Sequence, residues 1–348
     1  MTEPSIQPAI RVRHLWHRFG RFDVLRDVSF DVQHGEIFGF IGPNGAGKTT
    51  TIRVMATLLE PLAGRVEIDG LDVTIDPERV RKIIGYMPDH AGVYERVTVR
   101  EYLEFFADAY RVPTAGTSYA VVDAVMELTD LTKLREKLVA TMSKGMKQRL
   151  QLARTLLHDP KVLILDEPAS DLDPRARIEI RDLLVELRSM GKTIFLSSHI
   201  LTELADVCTS VAILERGRLI VAGPISEIAR RLEMSGRTAA PQPPPAVGPD
   251  GTAAHVAVLQ PEVPKRNVKL RVLAPGEAVA AALIGLPFVY KVAPGPGGTV
   301  VVTYAGDDQT VALVVRAIVM AGVPVAGVEP ERNELERIFL EVTKGEVQ

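Results

Sequence analysis

The sequence predicts an α/β domain built around a parallel sheet, joined through a proline-rich stretch to a smaller α+β domain. Three observations lead there. A glycine-rich loop, Gly42-Pro43-Asn44-Gly45-Ala46-Gly47-Lys48-Thr49-Thr50, lies between an apolar strand-like run from Ile37 to Ile41 and a helical pattern from Thr50 to Leu59. Two continuous apolar runs, Val162 to Leu165 and Thr193 to Leu196, flank a helical pattern from Arg175 to Met190, as buried parallel strands joined by a right-handed crossover should. Between residues 235 and 264, Pro241, Pro243, Pro244, Pro245, Pro249, Pro261 and Pro264 stand among Gly, Ala and Gln, a composition that cannot pack a core.

Taken in order, residues 1–9 read as a flexible N-terminus. Residues 10–16, 26–33 and 64–69 carry strand patterns and give the first domain a β-rich entry. From Val97 to Leu157 the periodicity is helical, so 90–157 reads as a helical subdomain, with one helix opening at Val97 and another over Tyr119 to Leu128. The first domain spans 10–234, and 235–266 reads as a linker. Strand 267–273, helix 276–285, strands 288–293 and 299–304, helix 308–321 and strand 323–329 follow. That β-α-β-β-α-β order is ferredoxin-like, and a closing helix over Asn333 to Thr343 completes an accessory domain at 267–348.

Composition narrows the function. With 348 residues and 46% hydrophobic content the chain can bury a full core, and no apolar run reaches the roughly 20 residues that span a bilayer. A cytoplasmic protein is the expectation. The formal net charge of −3 lacks the basic footprint of a general nucleic-acid binder, so no nucleic-acid partner is expected. Cys208 is the one cysteine, which rules out an internal disulfide and a cysteine-based zinc site; within the apolar stretch Leu204 to Leu214 it reads as a small buried side chain.

The chemistry concentrates in a few short segments. Gly42 to Thr49 fits G-x-x-x-x-G-K-[ST], in which backbone N–H groups wrap phosphates, the lysine reaches the β and γ oxygens and the hydroxyl ligates Mg²⁺. Val162 to Leu165 then delivers Asp166 and Glu167 at a strand's C-terminal end, where parallel sheets bind ligands. Asp166 suits a Mg²⁺ ligand, and Glu167 suits a base for an attacking water.

With those residues stand Met142-Ser143-Lys144-Gly145-Met146-Lys147-Gln148-Arg149, Ser170-Asp171-Leu172-Asp173 and Ser197-Ser198-His199. Over residues 10 to about 230 this set resembles the nucleotide-binding subunit of ATP-binding cassette transporters, in the family's own motif order. The resemblance implies a P-loop cassette fold, ATP with Mg²⁺ as cofactors, and ATP hydrolysis. It assigns adenine stacking to Phe19, the D-loop to Ser170 and Asp173, and γ-phosphate contact to His199. It also implies a head-to-tail pair of identical chains, in which the signature Ser143, Lys144, Gly145 and Met146 completes the partner's phosphate site. Ser143 equally suits an ordinary helix N-cap, and the two roles are compatible. At Asp89 the family usually places glutamine; a carboxylate accepts hydrogen bonds but cannot donate to phosphate oxygens as an amide does.

Asn333 to Thr343 and Met142 to Met146 resemble the bacterial drug and polysaccharide export group, which implies a separate membrane permease and a peripheral place on the membrane's inner face. The alternative is a cassette ATPase that acts on a cytoplasmic macromolecule. Phe105, Phe106 and Tyr110 recur at helical spacing and read as core, with an exposed subset facing a permease under the resemblance.

Overall fold

The computed structural model describes residues 7–89, 92–112, 119–199, 207–228, 230–231, 265–283, 285–294, 299–306 and 308–330. They fall in two compact units, one within residues 1–239 and one within 240–333.

The first unit begins with β1 (Ile10–Phe19) and β2 (Phe22–Val32), an antiparallel hairpin; β4 (Ala63–Ile68) pairs with β1, and β5 (Leu71–Asp72) extends this sheet. A second, six-stranded sheet contains β3 (Ile37–Ile41), β6 (Ile84–Met87), β7 (Val162–Leu165), β8 (Thr193–Ser198), β9 (Ser210–Glu215) and β10 (Arg218–Pro224), in the order β10-β9-β3-β8-β7-β6. All its neighbours are parallel except β9 with β10.

Side-chain alternation shows why this sheet is buried on both faces. Ile37, Ile41, Leu163, Leu165, Ile194 and Leu196 join one core, whereas Phe38, Phe40, Val162, Ile164 and Phe195 join the other. The second core lies between the two sheets and includes Ile52, Val54 and Met55 of α1 (Lys48–Met55). Phe30 of β2 stacks there on Phe38 and Phe195, with ring centroids 5.5 and 5.9 Å apart. The opposite core is covered by α3 (Val99–Ala109), α4 (Ala120–Leu128), α5 (Lys144–Leu156) and α6 (Pro174–Ser189), while α2 (Pro77–Ile83) leads directly into β6.

Side-chain caps stand at the starts of α3, α5 and α6. The helical pattern from Val97 begins as a helix at Val99 because Thr98 forms a capping box with Glu101. Asp173 caps α6, with Pro174 at its first turn, and Ser143 caps α5.

The second unit runs β11 (Lys265–Val272), α7 (Gly276–Leu283), β12 (Val289–Pro294), β13 (Thr299–Ala305), α8 (Asp308–Met320) and β14 (Val325–Pro330). Its antiparallel sheet has the order β12-β13-β11-β14. Val268, Leu270, Val300, Val302 and Tyr304 pack there with Val279, Leu283, Val314 and Ile318 from the helices.

Two boundaries differ from the sequence reading. Lys265 and Arg266, placed in the linker, start β11 because their backbones pair with Ala305 and Tyr304. Pro8 and Ala9, placed in the flexible start, are buried, and the Ala9 carbonyl accepts from Asp69 N–H. The expected closing helix at Asn333 to Thr343 and residues 235–264 of the expected linker lie outside the described residues.

Candidate functional site

The parallel strands β3, β7 and β8 end together, and the residues that follow them meet at that edge. After β3 the chain enters the loop Gly42 to Thr50, whose shape needs glycine at both ends. A Cβ on Gly42 would lie 2.3 Å from the Leu214 carbonyl oxygen; Gly47, at φ +109°, is the N-cap of α1, and a Cβ there would lie 2.7 Å from Leu25 Cδ2. Lys48 is buried. Its Nζ donates to the Gly42 carbonyl at 2.7 Å and sits 3.3 Å from Glu167 Oε1.

Asp166 and Glu167 follow β7 with different surroundings. Asp166 is 1% exposed and accepts from Ser197 Oγ at 2.6 Å. Burial raises its carboxyl above the ordinary value; hydrogen bonds from Ser197 and Thr49 oppose that, and the charges of Asp89 and Glu167 add to it. The Thr49 hydroxyl and Asp166 carboxylate are hard oxygen donors already in contact, a set that fits Mg²⁺, which takes one or two carboxylates and completes its shell with water and phosphate oxygens.

Glu167 sits at φ +50°, a left-handed conformation that costs a non-glycine residue about 1–2 kcal/mol. Its N–H donates to Ser197 Oγ at 3.0 Å, and its Oε2 lies 2.8 Å from His199 Nδ1, just beyond β8. An ionised carboxylate only accepts, so Nδ1 carries the proton in this contact. One carboxylate is thus held between an ammonium and an imidazole.

The other expected residues occupy two further places. Phe19, at the tip of the β1–β2 hairpin, is 50% exposed, and the edge of His17 packs against it at 4.6 Å between ring centroids. Phe22, paired with Phe19 and 67% exposed, is an aromatic that the sequence reading missed; the strand alternation on each side of Gly20-Arg21 was the available signal. Ser143, Lys144, Gly145 and Met146 form the start of α5, where Ser143 Oγ accepts from Met146 N–H at 3.3 Å. This turn contacts the segment that follows Glu167. A Cβ on Gly145 would lie 2.8 Å from Ala176 Cβ, and Lys144 Nζ pairs with Asp171 at 3.0 Å.

Lys144, expected near a partner's phosphates, and Asp171 therefore form an exposed ion pair within one chain. Ser170 N–H donates to the Glu167 carbonyl, and Asp173 caps α6 through Ala176 N–H at 2.9 Å. Asp89 is half-buried beyond β6, close enough for its charge to act on Asp166 and Tyr86. Phe106 packs against the core with Tyr102, while Phe105 and Tyr110 stay exposed.

Residues 25–170 match the model of the ABC transporter family. The daunorubicin resistance ATP-binding protein DrrA3 of Streptomyces coeruleorubidus is 38% identical over 220 residues, which cover 63% of this chain and 69% of that protein. The chain belongs to the ATP-binding cassette transporter family. An uncharacterized ABC transporter ATP-binding protein of Bacillus subtilis, YhcH, is 44% identical over 198 residues, so the cassette aligns over 57% of this chain and 64% of that relative's length. A solved structure of the ATP-binding subunit of an ABC transporter shares 34% identity at a TM-score of 0.58, covering 66% of this chain and 95% of its own. The fold is that of an ABC ATPase cassette. Among the cassette's described residues, no helix is long and apolar enough to cross a membrane.

Proposed function

We propose that this chain hydrolyses Mg·ATP as one half of a head-to-tail cassette pair and drives export through a separate membrane permease. The observation that carries the hydrolytic reading is the Glu167 carboxylate, held between Lys48 and His199 at the C-terminal edge of the sheet. On nucleotide entry Lys48 exchanges Glu167 for the β and γ oxygens, while the N–H groups of the Gly42 to Thr50 loop and the start of α1 hold the phosphates. Thr49 and Asp166 are the residues that hold Mg²⁺, which when bound neutralises charge on the phosphate oxygens. Glu167, freed from Lys48, takes the proton of the attacking water, and His199 keeps its imidazole toward the γ-phosphate end. Phe19 provides the face on which the adenine stacks.

Ser143 and Gly145 of the second copy complete each site in this reading. Their placement at the N-terminal start of α5, which Ser143 caps, supports a surface offered to a partner's phosphate. Export is supported by a relative named Nod factor export ATP-binding protein I, of Burkholderia lata, 38% identical over 214 residues, and the transporter family supports an external permease and a position on the inner membrane face. The second unit is read as a ferredoxin-like accessory domain, supported by its sheet order β12-β13-β11-β14.

Glu167→Gln tests the hydrolytic core. Turnover is expected to fall about 10²- to 10⁴-fold with ATP binding retained, and unchanged turnover would refute the role of Glu167. Affinity capture from membranes tests the transport reading. An integral membrane partner is expected, whereas co-sedimentation with ribosomes or DNA and no membrane partner would overturn it.

A further inference from the structure

Glu167 keeps a left-handed backbone conformation, and such a conformation persists only where the surroundings over-determine it. Two side chains supply that restraint, one on each side of the residue. Ser197 Oγ accepts from the Glu167 N–H at 3.0 Å. On the other side, Gln148 Nε2 donates to the Pro168 carbonyl at 2.8 Å. A carbonyl only accepts, so the amide must present its nitrogen there and the orientation of Gln148 is fixed. Gln148 is 5% exposed, and it lies on α5, the helix that Ser143 caps.

We propose that Gln148 is a positioning residue for hydrolysis: by holding the Pro168 carbonyl it fixes the backbone that aims the Glu167 carboxylate, and it makes Glu167 and the Ser143 turn one mechanical unit. Without the amide donor, the buried Pro168 oxygen loses its partner and the Glu167–Pro168 segment is free to relax from its strained geometry. Glu167 then spends less time aimed at the water. Nucleotide contacts made by the Gly42 to Thr50 loop are unaffected, so the effect belongs on turnover and not on ATP affinity.

This inference rests on the reading of Glu167 as the base, and the variants separate the two. Gln148→Met keeps an unbranched chain of similar size and removes the donor. It is expected to lower kcat about tenfold or more, with the Kd for ATP unchanged, and to cost nothing further when added to Glu167→Gln. Wild-type kcat in Gln148→Met, or an equal additional loss in the Glu167→Gln background, would overturn the proposal. Wild-type turnover in Glu167→Gln would instead remove the base reading beneath it.

Gln148→Glu supplies an independent readout should the methionine variant fail to fold. A buried carboxyl there donates only when protonated, and burial raises its pKa. The ratio of its turnover to that of the wild type is expected to rise as pH falls from about 8 to about 6. A ratio that stays flat over that range would contradict a donor role.

Discussion

At the scale of single residues, the grouping of the candidate site was legible where it is written in contiguous runs. Lys48, Asp166, Glu167 and His199 each stand in a short motif beside an apolar strand, and all four reach one sheet edge. Long-range side-chain partnerships were not legible. No local pattern pairs Lys144 with Asp171 or Gln148 with the Pro168 carbonyl, because those contacts exist only once α5 has packed beside the segment after β7. Asp89 stands where the resemblance leads one to expect glutamine. If the loop it begins serves only to couple to a permease, Asp89→Gln leaves the soluble ATPase rate nearly unaltered, whereas a large change in steady-state turnover would point to direct γ-phosphate sensing. Cys208 gives a second residue-scale test. Burial drives its thiol well above the ordinary value, so the reactive thiolate is suppressed. A thiol-specific reagent at neutral pH is expected to label the native chain far more slowly than the unfolded chain, and equal rates would contradict the burial.

At the scale of elements, the β-rich entry, the crossover unit and the β-α-β-β-α-β order could be read from periodicity, but β6, β9 and β10 were not placed as strands. β6 is four residues long and begins at the end of α2, while β9 is a continuous buried run that periodicity alone does not distinguish from buried helix. The starts of α3 and α6 were readable to within a few residues, and a capping side chain stands at each. The capping box of α3 supports a prediction free of the site's chemistry. Thr98→Ala removes the hydroxyl that accepts from Glu101 N–H and is expected to cost about 1 kcal/mol. For a domain of this size that lowers the melting temperature by about 2–4 °C, with ATP turnover unchanged. An unshifted melting curve would show that tertiary packing alone sets the helix start.

At the scale of the whole molecule, the proline-rich composition of 235–264 announced a division, and the described residues do form separate cores on its two sides. A chain ending at residue 234 is therefore expected to fold and bind nucleotide, and its aggregation would show that the remainder completes the first core. In the proposed pair, one chain carries two half-sites that serve different nucleotides. Mixing Lys48→Ala with Ser143→Arg tests this directly, since each variant alone spoils both sites of a pair, while a mixed pair retains one complete site. With random pairing, two nearly inactive preparations are expected to regain about a quarter of wild-type ATP turnover on mixing. A mixture no more active than either variant alone would contradict the shared site.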